Sequence, residues 1–167
     1  MVMRSYFTTL ALLLIPCASV AARSADIVSL TVSPAEVHTT LGQPVDIAVR
    51  FTNTSSTATY VGRAAVTYLE YAVKDTAGHV LVPFSDPPAP PPTPYAGEDF
   101  IWLSPGQSFV FHQHIPLASW GLKSAGRYNV VAFSNGTVST EAEWRHKKYG
   151  FFFSFAPPVT VIVESTK

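Results

Sequence analysis

Hydrophobic and polar positions alternate along most of this chain with a period of two. In Pro44–Asn53, PVDIAVRFTN, Val45, Ile47, Val49 and Phe51 fall on one face, and Asp46, Ala48, Arg50 and Thr52 on the other. Strict alternation predicts a half-buried β-strand. The same grammar predicts strands at Ile27–Ser33, Val37–Leu41, Tyr60–Val61, Val66–Lys74, His79–Phe84, Asp99–Leu103, Ser108–Ile115 and Arg127–Phe133. Phe151–Phe155 and Val159–Val163 read as one last strand, bent at Pro157-Pro158. Turn signals separate these runs: Gly42, Asp75-Thr76-Ala77-Gly78 and Pro105-Gly106. β-branched and aromatic residues dominate, which disfavours helix.

About eight or nine short strands without a convincing amphipathic helix predict an all-β fold, an antiparallel immunoglobulin-like β-sandwich. Ser104–Asn135 is its organising stretch, where the chain crosses between sheets. There Phe109, Phe111 and Ile115 share one face, and Val110, His112 and His114 the other. Tyr128, in Gly126-Arg127-Tyr128, reads as a structural tyrosine corner whose hydroxyl bonds upstream backbone.

Two segments break the pattern. Ser85–Glu98, SDPPAPPPTPYAGE, is proline-rich and cannot pair within a sheet, because proline removes the ladder donor. It reads as a stiff surface loop, or as a recognition loop with Tyr95 as an aromatic anchor. Ser134–Tyr149 reads as a polar, charged insertion ending in Trp144-Arg145-His146-Lys147-Lys148-Tyr149.

The N-terminus has a different character. Arg4 precedes the apolar run Leu10–Ile15, and the small residues Ala18, Ser19, Ala21 and Ala22 follow. This is the pattern of a secretory signal peptide over residues 1–22, with cleavage after Ala22, or else after Ala21 or Ala25. The sandwich domain then covers 26–167, and the location is periplasmic or extracellular. The apolar run is too short for a good transmembrane span. Leu14-Ile15-Pro16-Cys17 loosely matches a lipobox, which would place a lipid anchor on Cys17, but proline before the cysteine is a poor match. Cys17 is the single cysteine, so removal of the leader leaves none for a disulfide.

Composition narrows the function classes. With 11 basic and 11 acidic residues the formal net charge is zero, which gives no electrostatic reason to expect nucleic acid as a partner. Neither a Gly-x-Ser-x-Gly elbow nor a His-Glu-x-x-His string occurs. The expectation is a non-enzyme without a cofactor. His112 and His114 point to one strand face and could offer two imidazoles to a metal, but a site needs further ligands. The candidate binding residues are the aromatic and basic ones: Tyr95, Trp102, Trp144, Arg145 and Tyr149. Tryptophan, tyrosine and arginine are enriched at binding hot spots.

Several stretches carry a family likeness in order: PVDIAVRFTNTS after Gly42, KDTAGHVLVPF at Lys74–Phe84, EDFIWLSPGQS at Glu98–Ser108, and AGRYNVVAFSN at Ala125–Asn135. Over Ile27 to Asn135 the chain resembles the non-catalytic β-sandwich domain that precedes the zinc protease domain in bacterial deuterolysin-like and peptidyl-Lys metalloendopeptidases. The resemblance implies a secreted sandwich without the protease's catalytic helix. It points to a binding module, acting on a secreted or periplasmic protease as a propeptide or inhibitor does. The alternative readings are a carbohydrate- or envelope-binding sandwich and a metal-binding protein built on His112 and His114.

Overall fold

The computed structural model describes residues 27–63, 69–84 and 100–166. The expected leader, Cys17 and the proline-rich segment with Tyr95 lie outside these residues.

The described residues form two sheets packed face to face. One holds β1 (Val28–Ser33), β3 (Pro44–Asn53) and β8 (Ser108–Pro116), in the order β1-β3-β8. The other is built around β9 (Gly126–Thr140). On one side of β9, β5 (Glu70–Asp75) pairs with its first half and β4 (Thr59–Gly62) with its second. Beyond them lie β6 (Val80–Val82) and β7 (Phe100–Leu103). On the other side, β11 (Val159–Glu164) pairs with the start of β9 and β10 (Gly150–Phe155) with its end. Finally β2 (Glu36–Thr40) pairs with β11 in parallel. The chain changes sheet between β1 and β2, and again on each side of β3 and on each side of β8. This distribution of strands is an immunoglobulin-like sandwich.

The core follows the alternation. Val45, Ile47, Val49 and Phe51 of β3 are all buried, and they face Val61, Val73, Val130 and Val161 of the other sheet. Phe51 stacks on Phe111 at 6.2 Å and meets Phe152 edge-on at 6.4 Å, so one ring ties together β3, β8 and β10. β8 keeps Phe109, Phe111 and Ile115 inward and His112 and His114 exposed.

Two segments fold differently from the pattern their sequence suggests. Ser134–Tyr149 is not an insertion: β9 runs on to Thr140, and Glu141–Arg145 forms a helix, α1. The polar run is deceptive because Ser134, Thr137 and Ser139 are buried; Ser139 is 1% exposed and donates to the carbonyl of Lys148 at 2.7 Å. The helix starts at Thr140 through a capping box. Glu143 N–H donates to Thr140 Oγ1, while Thr140 N–H donates to Glu143 Oε2 at 3.0 Å. These bonds from Thr140 hold the Glu143 carboxyl below its ordinary pKa. Second, the closing segment is two strands, β10 and β11, laid end to end along one edge of β9. Ala156 bridges them by donating to Ala132 O at 2.9 Å. The strand predicted over Val66–Lys74 is present as Glu70–Asp75, and residues 66–68 lie outside the described residues.

Asn53 closes the polar loop after β3. It is fully buried, donates from Nδ2 to the carbonyls of Thr57 and Leu103, and accepts at Oδ1 from Ser55 N–H and Oγ. Its amide is therefore not an accessible glycosylation acceptor, although Asn53-Thr54-Ser55 matches the pattern.

Candidate functional site

The outer face of the larger sheet gathers most of the aromatic candidates. Trp102 in β7 stands opposite Tyr60 in β4, and the rings meet edge-on at 4.7 Å. Tyr60 also stacks on Trp144 of α1 at 4.6 Å and 20°. Trp144 meets Phe100 edge-on at 4.7 Å, and Phe100 stacks on Tyr149 at 5.7 Å. Trp102, Trp144 and Tyr149 thus belong to one cluster, joined through Tyr60 and Phe100. The helix cap sets Trp144 over the sheet. Trp144 and Tyr149 are half-buried by these contacts, whereas Trp102 stays 40% exposed. Arg145 points away into a surface pair with Glu141 at 2.7 Å.

A second aromatic group lies along β10, and the sequence reading missed it. Phe151, Phe153 and Phe155 are 52%, 57% and 59% exposed, while Phe152 and Ser154 between them are buried. Phe155 packs on Phe133 at 4.6 Å, Phe153 stacks on Phe133 at 6.5 Å, and Phe84 closes over Phe133 and Phe155 at 5.6 and 5.8 Å. The run GFFFSF reads as core because it lacks a polar partner face. The available signal was its place: a strand between a basic turn and a Pro-Pro break sits at a sheet edge more readily than at its centre.

The histidine pair has a simpler environment. His114 Nδ1 lies 2.7 Å from Asp46 Oδ1 on the exposed face, with both side chains largely in solvent. Among the described residues no group of three or more His, Cys, Asp or Glu side chains is placed to hold a metal ion. Tyr128 is buried at the foot of β9; its Oη donates to the Ser124 carbonyl at 3.0 Å and lies 3.0 Å from Ser124 Oγ. That is a tyrosine corner.

The exposed edge of β8 faces β5 and β6 across an open cavity of about 690 Å³, lined by Tyr71, Val82, Gln113, His114 and Trp120 among others. Tyr71 Oη donates to Gln113 Oε1, and burial pushes the Tyr71 phenol above its ordinary pKa. The Glu70 carboxylate oxygens and Trp120 Nε1 are buried and have no hydrogen-bond partner among the described residues. Ser55 Oγ donates to Asn53 Oδ1, Ser124 Oγ lies 3.0 Å from Tyr128 Oη, and Ser139 Oγ donates to the Lys148 carbonyl.

No family model matches the chain, and no curated protein matches it. Solved structures with a similar course of chain exist at low similarity. A β-glucosidase from Listeria innocua aligns over 83% of this chain with 15% identity and a TM-score of 0.37. The chain spans 16% of that enzyme's length. The ASH/PapD-like domain 7 of human CEP192 aligns over 83% of this chain and 87% of its own, with 12% identity and a TM-score of 0.37. The Pseudomonas fluorescens alkylpurine DNA glycosylase AlkC aligns over 78% of this chain and 30% of its own, with 15% identity and a TM-score of 0.33.

Proposed function

We propose that this protein is an exported, non-enzymatic β-sandwich that binds another exported protein through the outer aromatic face of its larger sheet. One observation carries the reading: Phe151, Phe153 and Phe155 stand side by side and more than half exposed. Apolar patches of this kind mark interaction surfaces, because leaving them in water forgoes their burial energy. Export rests on the N-terminal pattern of Arg4, Leu10–Ile15 and the small residues after it. The ordered likeness to the sandwich that precedes secreted zinc proteases makes such a protease the first partner to test. A carbohydrate reading has less support, since the rings it needs, Tyr60, Trp102 and Trp144, are engaged with one another.

The test compares wild type with Phe153→Asp, a change at an exposed position that leaves the core intact. Both are immobilised and exposed to the exported proteins of the source organism, and the bound fraction is assayed for zinc-protease activity. The reading expects a protein retained by wild type and lost by the variant, with an effect of the sandwich on its activity where it is the protease. Equal capture by both proteins counts against the phenylalanine face.

A further inference from the structure

The backbone of β10 adds something its side chains do not show. Ala156 N–H donates to Ala132 O, and the register continues with Ser154 opposite Ser134 and Phe152 opposite Gly136. In an antiparallel ladder the backbone groups of alternate residues point to opposite sides. Phe152 and Ser154 therefore spend their N–H and C=O on β9. Phe151, Phe153 and Phe155 direct theirs to the other side, where β10 pairs with no described strand. The residues with exposed rings are thus the residues whose backbone groups pair with no strand among the described residues, with β1 of the other sheet passing close to this edge.

Proteins ordinarily blunt such an edge with a charge, a proline or a bulge. β10, GFFFSF, contains no charged residue and no proline, and its register with β9 is unbroken. Its charges stand just ahead of it: Lys147 and Lys148 are exposed and form no salt bridge among the described residues, although Lys148 lies near enough to Glu143 to help hold its carboxyl low, whereas Arg145 is paired with Glu141.

We propose that β10 recognises its partner by strand addition: an extended segment of another protein, apolar at alternate positions, with acidic residues at the end that meets Lys147 and Lys148. This mode rests on the protein-binding reading above and names how it works. A strand satisfies the open backbone and covers the three rings at once, as in other edge-recognition systems. A lipid surface would cover the rings but leave the N–H and C=O groups without partners. A second copy of β10 in antiparallel pairing would bring its Ala156-Pro157-Pro158 beside the lysines, which offers them no acid.

The experiment selects binders for the purified protein from a phage-displayed library of random decapeptides and then measures amide hydrogen exchange with the best one bound. Strand addition expects enrichment of alternating apolar residues with Asp or Glu at one end. It also expects the Phe151, Phe153 and Phe155 amides to exchange fast in the free protein and at least tenfold slower in the complex. Lys147→Glu with Lys148→Glu should weaken binding several-fold, and less so at high salt. A selected peptide that binds, is lost with Phe153→Asp and leaves those amides unprotected would overturn strand addition while sparing the binding reading. A library without enrichment, together with equal capture by wild type and Phe153→Asp, would overturn both. A concentration-dependent dimer abolished by Phe153→Lys would assign the edge to a second copy and overturn the proposal.

Discussion

Tyr128 hydrogen-bonds backward in the chain to Ser124, its hydroxyl donating to the Ser124 carbonyl across a 3.0 Å contact. The bond fixes the entry into β9, the strand on which the whole larger sheet is assembled. Gly126 is part of the device, for a Cβ there would sit 3.2 Å from Tyr128 Oη. Tyr128→Phe keeps the ring and removes only the hydroxyl, so the expected loss is about 1 kcal/mol, the net worth of one hydrogen bond. Urea denaturation of the two proteins, with the slope unchanged, measures it.

Phe51 and Phe153 are both phenylalanines on strands, and they should behave oppositely. Phe51 is fully buried between Phe111 and Phe152. Its replacement by alanine leaves a cavity and should cost about 3–5 kcal/mol. Phe153 is 57% exposed and touches Phe133. Its replacement should cost under about 1 kcal/mol. Thermal melts of the two variants check the contrast. A large loss at Phe153 would mean that β10 is core and not contact surface.

These two residues also mark what the sequence made legible. Phe51 lies in an alternating run with polar partners, and such a run names its own inner face. The sandwich and the β3 core were readable for that reason, and Tyr128 from its place after Gly126 at the head of a strand. Phe153 lies among aromatics on both faces, so periodicity cannot tell inside from outside; only the pairing partner and the open edge decide. The extension of β9 through Ser134–Thr140 was hidden differently. Ser and Thr are read as loop because they are polar, yet here Ser139 Oγ satisfies the Thr140 and Lys148 carbonyls while almost fully buried. The aromatic cluster was visible only as separate residues, since Tyr60 joins Trp102 and Trp144 across strands far apart in sequence.

Trp144 and Trp102 should differ in their contributions. Trp144 touches Tyr60, Phe100 and Tyr149, while Trp102 touches Tyr60. With about 0.5–1.5 kcal/mol for each aromatic pair, Trp144→Ala should destabilise more than Trp102→Ala. It should also release α1 from the sheet. Denaturation curves followed by the fluorescence of the remaining tryptophans would show a smaller loss for Trp102→Ala. The reverse order would mean that the helix does not anchor the cluster.

Asp75 closes the β5–β6 turn and sets an acid-side dependence. Its Oδ2 lies 2.9 Å from His79 Nδ1, and its Oδ1 accepts from His79 N–H at 2.9 Å. The side-chain bond to His79, with the backbone bond next, holds the carboxyl below its ordinary value of 3.8. A pKa lower in the folded than in the unfolded chain means that the unfolded chain binds the proton more readily. The stabilisation is therefore present above the unfolded pKa and is lost as pH falls through the folded one. His79 is largely exposed and Asp75 is half-exposed, so the effect is screened by solvent and salt. Carboxyl carbon NMR should show Asp75 titrating below 3.8 in wild type. In His79→Ala its midpoint should move upward, part of the way, because the bond from the residue 79 backbone survives. An unchanged midpoint would show that the imidazole does not hold the carboxylate, leaving the turn to its backbone bonds.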